Sequence, residues 1–145
     1  MTTAAEMYRR MEQMNVDKLC SQALTGASDM MADLNREQMR EGKDAKGGDL
    51  YFYRAQWYSA WKQSLSSYMA TPGIADFYVT GSFHRAMYAD VQGDVVQFWS
   101  NDGKTSDLLE LSPDMFGLTD ESKAKLNEMY LREALIYTFR EPLKV

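Results

Sequence analysis

Apolar residues at Met7, Met11, Met14, Leu19 and Ala23 recur at steps of three to five, which keeps them near one side of a helix. The pattern predicts an amphipathic helix from Ala4 to Leu24. Thr25-Gly26 interrupts it, Ser28 is placed to cap a second helix, and Met30, Met31 and Leu34 form the buried side of that helix, which frays out by Gly42. Residues 42–49, GKDAKGGD, carry three glycines and four charges and read as an exposed loop. Trp57, Trp61 and Leu65 then fall at i, i+4 and i+8, one face of a helix flanked by Tyr58 and continued by Tyr68. That face is expected to be core. Thr71-Pro72-Gly73 ends the segment, because Pro72 lacks the N–H a helix interior needs and Gly73 permits a turn.

The period then changes from helical to alternating. Met87, Ala89 and Val91 alternate with Tyr88 and Asp90, and Val96 and Phe98 alternate with Gln97 and Trp99, with Gln92-Gly93 between the two runs. This predicts a β-hairpin over 86–100 with Gly93 at positive φ. Asn101-Asp102-Gly103 supplies the next turn, and a short segment at Leu108–Leu111 stops at Pro113. Thr119 is a helix N-cap followed by Asp120 and Glu121, whose charges suit the positive end of the helix dipole. The helix after it carries Leu126, Met129, Tyr130, Ala134 and Tyr137 on one side and Leu131, Leu135 and Phe139 on another, and Pro142 closes it. So wide an apolar sector predicts a helix covered on two sides, by the sheet and by either the N-terminal helices or a second subunit. The expected fold is therefore α+β: N-terminal helices and a long C-terminal helix packed on a small antiparallel sheet that contains the 86–100 hairpin. It forms one domain over 1–145, in which 1–41 could serve as a helical docking arm.

Composition narrows the class. With 145 residues, 45% hydrophobic and 26% charged, the chain has the balance of a globular protein with one core. Seven of the eleven methionines lie in the first 39 residues, where their flexible side chains either fill gaps in a core or adapt to a partner. No apolar run reaches the length of a membrane span, and MTTAAEMYRRMEQM puts charges where a signal peptide is apolar; a soluble intracellular protein is expected. The net charge of −5 argues against nucleic acid as the main partner. Nine acidic and seven basic residues in 1–49, a balanced 50–100, and nine acidic against six basic in 101–145 place the neutral stretch in the middle of the chain. That stretch is expected to supply core and contact surface, with solvated ends.

Candidate chemistry is sparse. Cys20 falls among the apolar positions of its helix and reads as a buried thiol. Ser82 and His84 would share a face on a strand but would not meet on a helix, and no third group is placed to orient the imidazole. One histidine and one cysteine cannot make a four-ligand zinc site, and Asp102, Asp107, Glu110 and Asp114 do not follow the order of a calcium loop. Aromatic side chains around Trp57 would need a basic groove to stack nucleic acid, and only Arg54 and Lys62 are near. The expectation is a protein without catalytic activity, cofactor, metal or small-molecule substrate, acting through contacts with other proteins.

Three strings, LNREQMREGKDAKGGDLYFY at 34–53, VTGSFHRAMYADVQGDVVQFWSNDGKTSDL at 79–108 and FGLTDES at 116–122, carry a resemblance over roughly residues 30–140. The chain resembles the small virion-assembly proteins of tailed phages and prophages of Bacteroides-type gut bacteria, and more loosely neck, minor-tail and tail-completion proteins. The similarity is densest at Thr80, Gly81, Phe83, Val91, Gly93, Asp94 and Val96. Thr80, Gly81, Gly93, Gly117 and Thr119 act in it as turn and cap residues that need no ligand. The resemblance implies a helix on a small antiparallel sheet, copies assembled into a ring at the head-to-tail junction, and neighbouring virion proteins as partners. It also implies folding in the bacterial host cytoplasm before incorporation into the virion. Met7, Met11, Met14, Leu131, Leu135 and Phe139 are the candidate interaction residues. The alternative is a small acidic regulatory or inhibitory module that binds a host protein.

Overall fold

The computed structural model describes residues 2–54, 56–65 and 73–143. Tyr68, Thr71, Pro72 and the side chain of Leu65 lie outside the description. Two helices replace the single one expected at the N-terminus: α1, Ala4–Glu12, and α2, Val16–Gly26. Each has its own cap. The Thr3 hydroxyl accepts from the Glu6 N–H at 3.2 Å while the Glu6 carboxylate accepts from the Thr3 N–H at 2.9 Å, and the Asn15 side chain accepts from the Lys18 N–H at 3.0 Å. Asn15 starts a helix where the apolar period alone runs straight through.

Only Ala27 separates α2 from α3, Ser28–Arg40. Ser28 is therefore already inside the helix and does not cap it; its hydroxyl donates back to the Thr25 carbonyl at 2.8 Å. The helix α3 ends before Gly42, as its sequence predicts, and its buried side includes Met31 and Leu34 with Met30 packed beside them. After α4, Gln56–Leu65, and the one-turn α5, Ser82–Arg85, the hairpin forms from β1, Met87–Gln92, and β2, Val95–Ser100. Its register pairs Met87 with Ser100 and Gln92 with Val95, so the turn is Gly93-Asp94, one residue later than the expected Gln92-Gly93. Gly93 has φ +64° while Asp94 keeps negative φ, the sign pattern of a type II′ turn, whose first central position favours glycine.

Alternation sorts the hairpin into faces as the sequence indicates. Ala89, Val91, Val96 and Phe98 pack on Met31 and Leu34 of α3 and on Ala27 just before it, together with Leu118 and Leu126. Tyr88 and Trp99 point the other way, Trp99 against the Phe116 ring at 5.5 Å. A second cluster joins Met39, at the far end of α3, to Leu50, Phe83, Met87 and Met115. One helix thus belongs to both cores. Polar side chains on α3 do comparable service. Asn35 donates to the Met115 carbonyl, while Gln38 donates to the Gly117 carbonyl at 2.9 Å and accepts from the Thr119 N–H at 2.9 Å and the Ser122 hydroxyl at 3.1 Å. The Arg36 guanidinium donates to the carbonyls of His84 and Met87, both at 2.6 Å.

The segment α6, Thr105–Leu111, leads to the C-terminal helix, capped by Thr119 as expected, its hydroxyl accepting from the Ser122 N–H at 3.1 Å. That helix runs as α7, Asp120–Leu126, a π-helical turn at Asn127–Leu131, and α8, Arg132–Leu143. Pro142 lies within its last turn instead of closing it. The architecture is α+β: helices, the last of them long, around a two-stranded antiparallel sheet. Among the described residues no helix is long and apolar enough to cross a membrane.

Replacing Gln38 by Ala takes the partner from the Gly117 carbonyl and the Thr119 N–H and leaves the Ser122 hydroxyl with the Thr119 hydroxyl alone. The expected cost is about 3 kcal/mol, several times that of an ordinary surface substitution, read as a shift of the urea midpoint with unchanged slope.

Candidate interaction surface

The helix α4 turns out to present its aromatics to solvent. Trp57 is 72% exposed and Trp61 46%, against the expectation that their shared face is core. The buried side is instead Ser59 and Lys62, at i and i+3. Lys62 and Asp76 are 2% and 3% exposed and form an ion pair, with Lys62 Nζ also donating to the Tyr53 hydroxyl at 2.9 Å. A buried ammonium has to face its carboxylate, because an unpaired buried charge costs several kcal/mol. Turning Lys62 inward rotates Trp57 and Trp61 outward. Tyr58 lies between, half-buried, its ring edge-on to Tyr53 at 5.0 Å and tilted to Trp61 at 5.6 Å.

Asp76 organises the backbone around it. Its carboxylate accepts from the Tyr78 N–H at 3.0 Å, its carbonyl bonds to His84 Nε2 at 2.8 Å, and Phe77 between them takes φ +53°, a left-handed conformation costly for an aromatic residue. Because a carbonyl only accepts, Nε2 of His84 carries a proton and donates it in this bond. Burial pushes the His84 pKa down to about 4; the bond to the Asp76 carbonyl acts upward, and Arg40 and Arg36 nearby add to the downward effect. Burial also raises the Tyr53 hydroxyl well above its ordinary value, and the Asp76 charge adds to this.

Ser82 and His84 are not brought together. They stand on α5, where the Ser82 hydroxyl pairs with that of Thr80 at 3.3 Å and His84 is committed to Asp76. Gly81, at φ +83°, starts that turn, and a side chain there would meet Arg85 and Tyr78 at 3.0 Å or less. Gly117 likewise takes positive φ, +123°, beside Ala45. Cys20 is half-buried, not enclosed. The Asp102 carboxyl is held below its ordinary value chiefly by the N–H of Lys104, which makes it a turn residue. Gly103, the last residue of the 101–103 turn, does not take positive φ. Among the described residues no group of three or more His, Cys, Asp or Glu side chains is arranged to hold a metal ion.

The candidate interaction residues divide. Met11 is exposed while Met7 and Met14 are half-buried, and α1 buries no residue at all. Leu131 packs on the first core cluster, and Leu135 and Phe139 are half-buried. On the other expected sector Leu126 is buried, but Met129 and Tyr137 are 70% and 71% exposed. The π turn is the reason: it inserts an extra residue between Leu126 and Leu131, so a stripe drawn at α-helical spacing does not stay on one face. Tyr8 and Ile136 are exposed as well.

The Lys62–Asp76 pair escaped the apolar pattern, although the sequence holds a signal for it. Between Arg54 and Arg85 these two are the only Asp, Glu, Lys or Arg residues, one of each sign. No family model, curated protein sequence or solved structure matches the chain.

The neutral, buried His84 makes stability depend on pH. Above about pH 6.5 the imidazole is neutral in both states and nothing is lost; from there down to about pH 4 the unfolded chain takes up a proton that the folded one does not. Stability should fall across that window by about 3 kcal/mol from this group alone. Denaturation at pH 7.5 and 4.5 should show a larger loss in the wild type than in His84→Gln, whose side-chain amide reaches the Nε2 position and can still donate to the Asp76 carbonyl.

Proposed function

We propose that the protein is a non-enzymatic structural component of a tailed-phage virion, at the neck or tail, where copies of it join one another and neighbouring virion proteins in a ring. The observation that carries this reading is the presence of large apolar side chains exposed on different elements: Trp57 and Trp61 on α4, with Phe52 and Val79, and Tyr8, Met11, Met129, Ile136 and Tyr137 on α1 and the C-terminal helix. A single exposed apolar residue needs no explanation; several large ones, with tryptophan and tyrosine prominent, are what contact surfaces enrich. Exposed apolar residues on separate elements suit a head-to-tail contact, in which one face of a copy meets another face of the next and the rotation closes a ring. The resemblance at 79–108 and 116–122 points to the same setting, and Thr80, Gly81, Gly93, Gly117 and Thr119 all serve turns and caps there.

Trp57→Gln combined with Trp61→Gln tests the reading. Both side chains are solvent-facing in the isolated chain, so the variant should keep its stability to within about 1 kcal/mol. Native mass spectrometry of the wild type should show oligomers, or complexes with adjacent virion proteins, that the variant no longer forms. A wild type that stays monomeric with every virion component, or a variant incorporated into particles as well as the wild type, would overturn it.

A further inference from the structure

A cleft of about 350 Å³ opens between α4, the 77–83 segment and α6. Its walls are aromatic and aliphatic, with Tyr51, Tyr53, Tyr58, Phe83 and Leu108 prominent. Among the described residues that line it the charged ones are Lys62 and Lys104, and there is no carboxylate. Lys62 is deeply buried, and of the three donors an ammonium carries, one goes to Asp76 and one to the Tyr53 hydroxyl. Having accepted from Lys62, the Tyr53 hydroxyl keeps its own proton to donate. The Lys62 charge is met by Asp76, so the cleft offers donors at the Lys62–Tyr53 wall, the uncompensated positive charge of Lys104, and largely apolar surface elsewhere. Phe77, which also lines it, is held in a strained left-handed conformation, a cost that recurs where a structure shapes a ligand clamp.

We propose that this cleft binds a small apolar carboxylate, aromatic or branched, with its hydrocarbon end among Tyr58, Phe83 and Leu108 and its carboxylate drawn to the Lys62–Tyr53 wall and the Lys104 rim. A carboxylate can accept from the Tyr53 hydroxyl and from Lys62, and the Lys104 ammonium, in a lining without carboxylates, favours an anion over a cationic analogue. The size suits a group the volume of one aromatic side chain plus a short linker. The same chemistry exists as a free acid and as the C-terminal residue of a polypeptide.

The test uses the full ¹⁵N-labelled chain titrated with 3-phenylpropionate, its amide, and phenethylammonium to about 20 mM, since ligands of this size bind in the millimolar range. The acid should shift the amide signals of residues around Tyr53, Phe83 and Lys104 and bind about tenfold more tightly than the amide, and phenethylammonium should not bind. Lys104→Glu, at an exposed position, and Tyr53→Phe, which keeps the ring, should each weaken the acid severalfold with the fold intact. A glycine–serine peptide ending in phenylalanine with a free carboxylate identifies the source: tighter binding than the free acid assigns the cleft to a chain terminus, and weaker binding assigns it to a small molecule. No shifts with acid or peptide, equal affinity for all three small probes, shifts confined to Trp57 and Trp61, or unchanged affinity in both variants would each overturn the proposal.

Discussion

Side chains of α3 hold irregular backbone that has no strand or helix of its own to pair with. Gln38 meets three groups of 117–122, Asn35 reaches Met115, and Arg36 takes the carbonyls at both ends of the step from α5 into β1. Buried backbone polar groups need partners, and loops this deep in a small domain would otherwise be costly. Because α3 also contributes Met31 and Leu34 to one core cluster and Met39 to the other, the hairpin, the 115–119 loop and the start of the C-terminal helix are all positioned from it. A two-stranded hairpin is marginal by itself; here its inner face is closed by α3.

With the centre secured this way, the outer helices are free to keep apolar side chains in solvent. The helix α1 buries nothing, α4 is anchored by Ser59 and the Lys62–Asp76 pair and not by its tryptophans, and the C-terminal helix leaves Met129, Ile136 and Tyr137 uncovered. The ion pair links the two halves of the functional reading: by fixing the rotation of α4 it both exposes Trp57 and Trp61 and sets an ammonium beside the aromatic cleft. Replacing both partners with apolar residues could be nearly neutral for stability, whereas removing one would not be. The pair thereby specifies an orientation more than it adds stability.

What could be read in the sequence follows period and punctuation. The hairpin faces came from strict alternation between Met87 and Trp99, and the cap at Thr119 from a polar residue before two acids. The same logic failed where a polar interaction outweighed a stripe. Asn15 broke an apolar period by capping α2, Lys62 overrode the Trp57–Trp61 stripe because a buried charge is more demanding than an exposed indole, and the π turn displaced the sectors of the C-terminal helix. The candidate interface was legible only as residues of the right kind. Which of them point outward depended on pairs far apart in the chain, such as Gln38 with Gly117 or Lys62 with Asp76, that no local pattern encodes.

Native-state hydrogen exchange on the isolated protein, followed amide by amide as denaturant is added, tests this division most directly. If α3 is the common support and the outer helices are contact elements, the amides of α3, β1 and the 115–119 loop should open only with global unfolding. Those of α1 and α4 should then exchange through local openings of clearly lower free energy. Amides of α1 and α4 as slow as those of α3 would mean that these helices belong to the cooperative core, and would contradict the account.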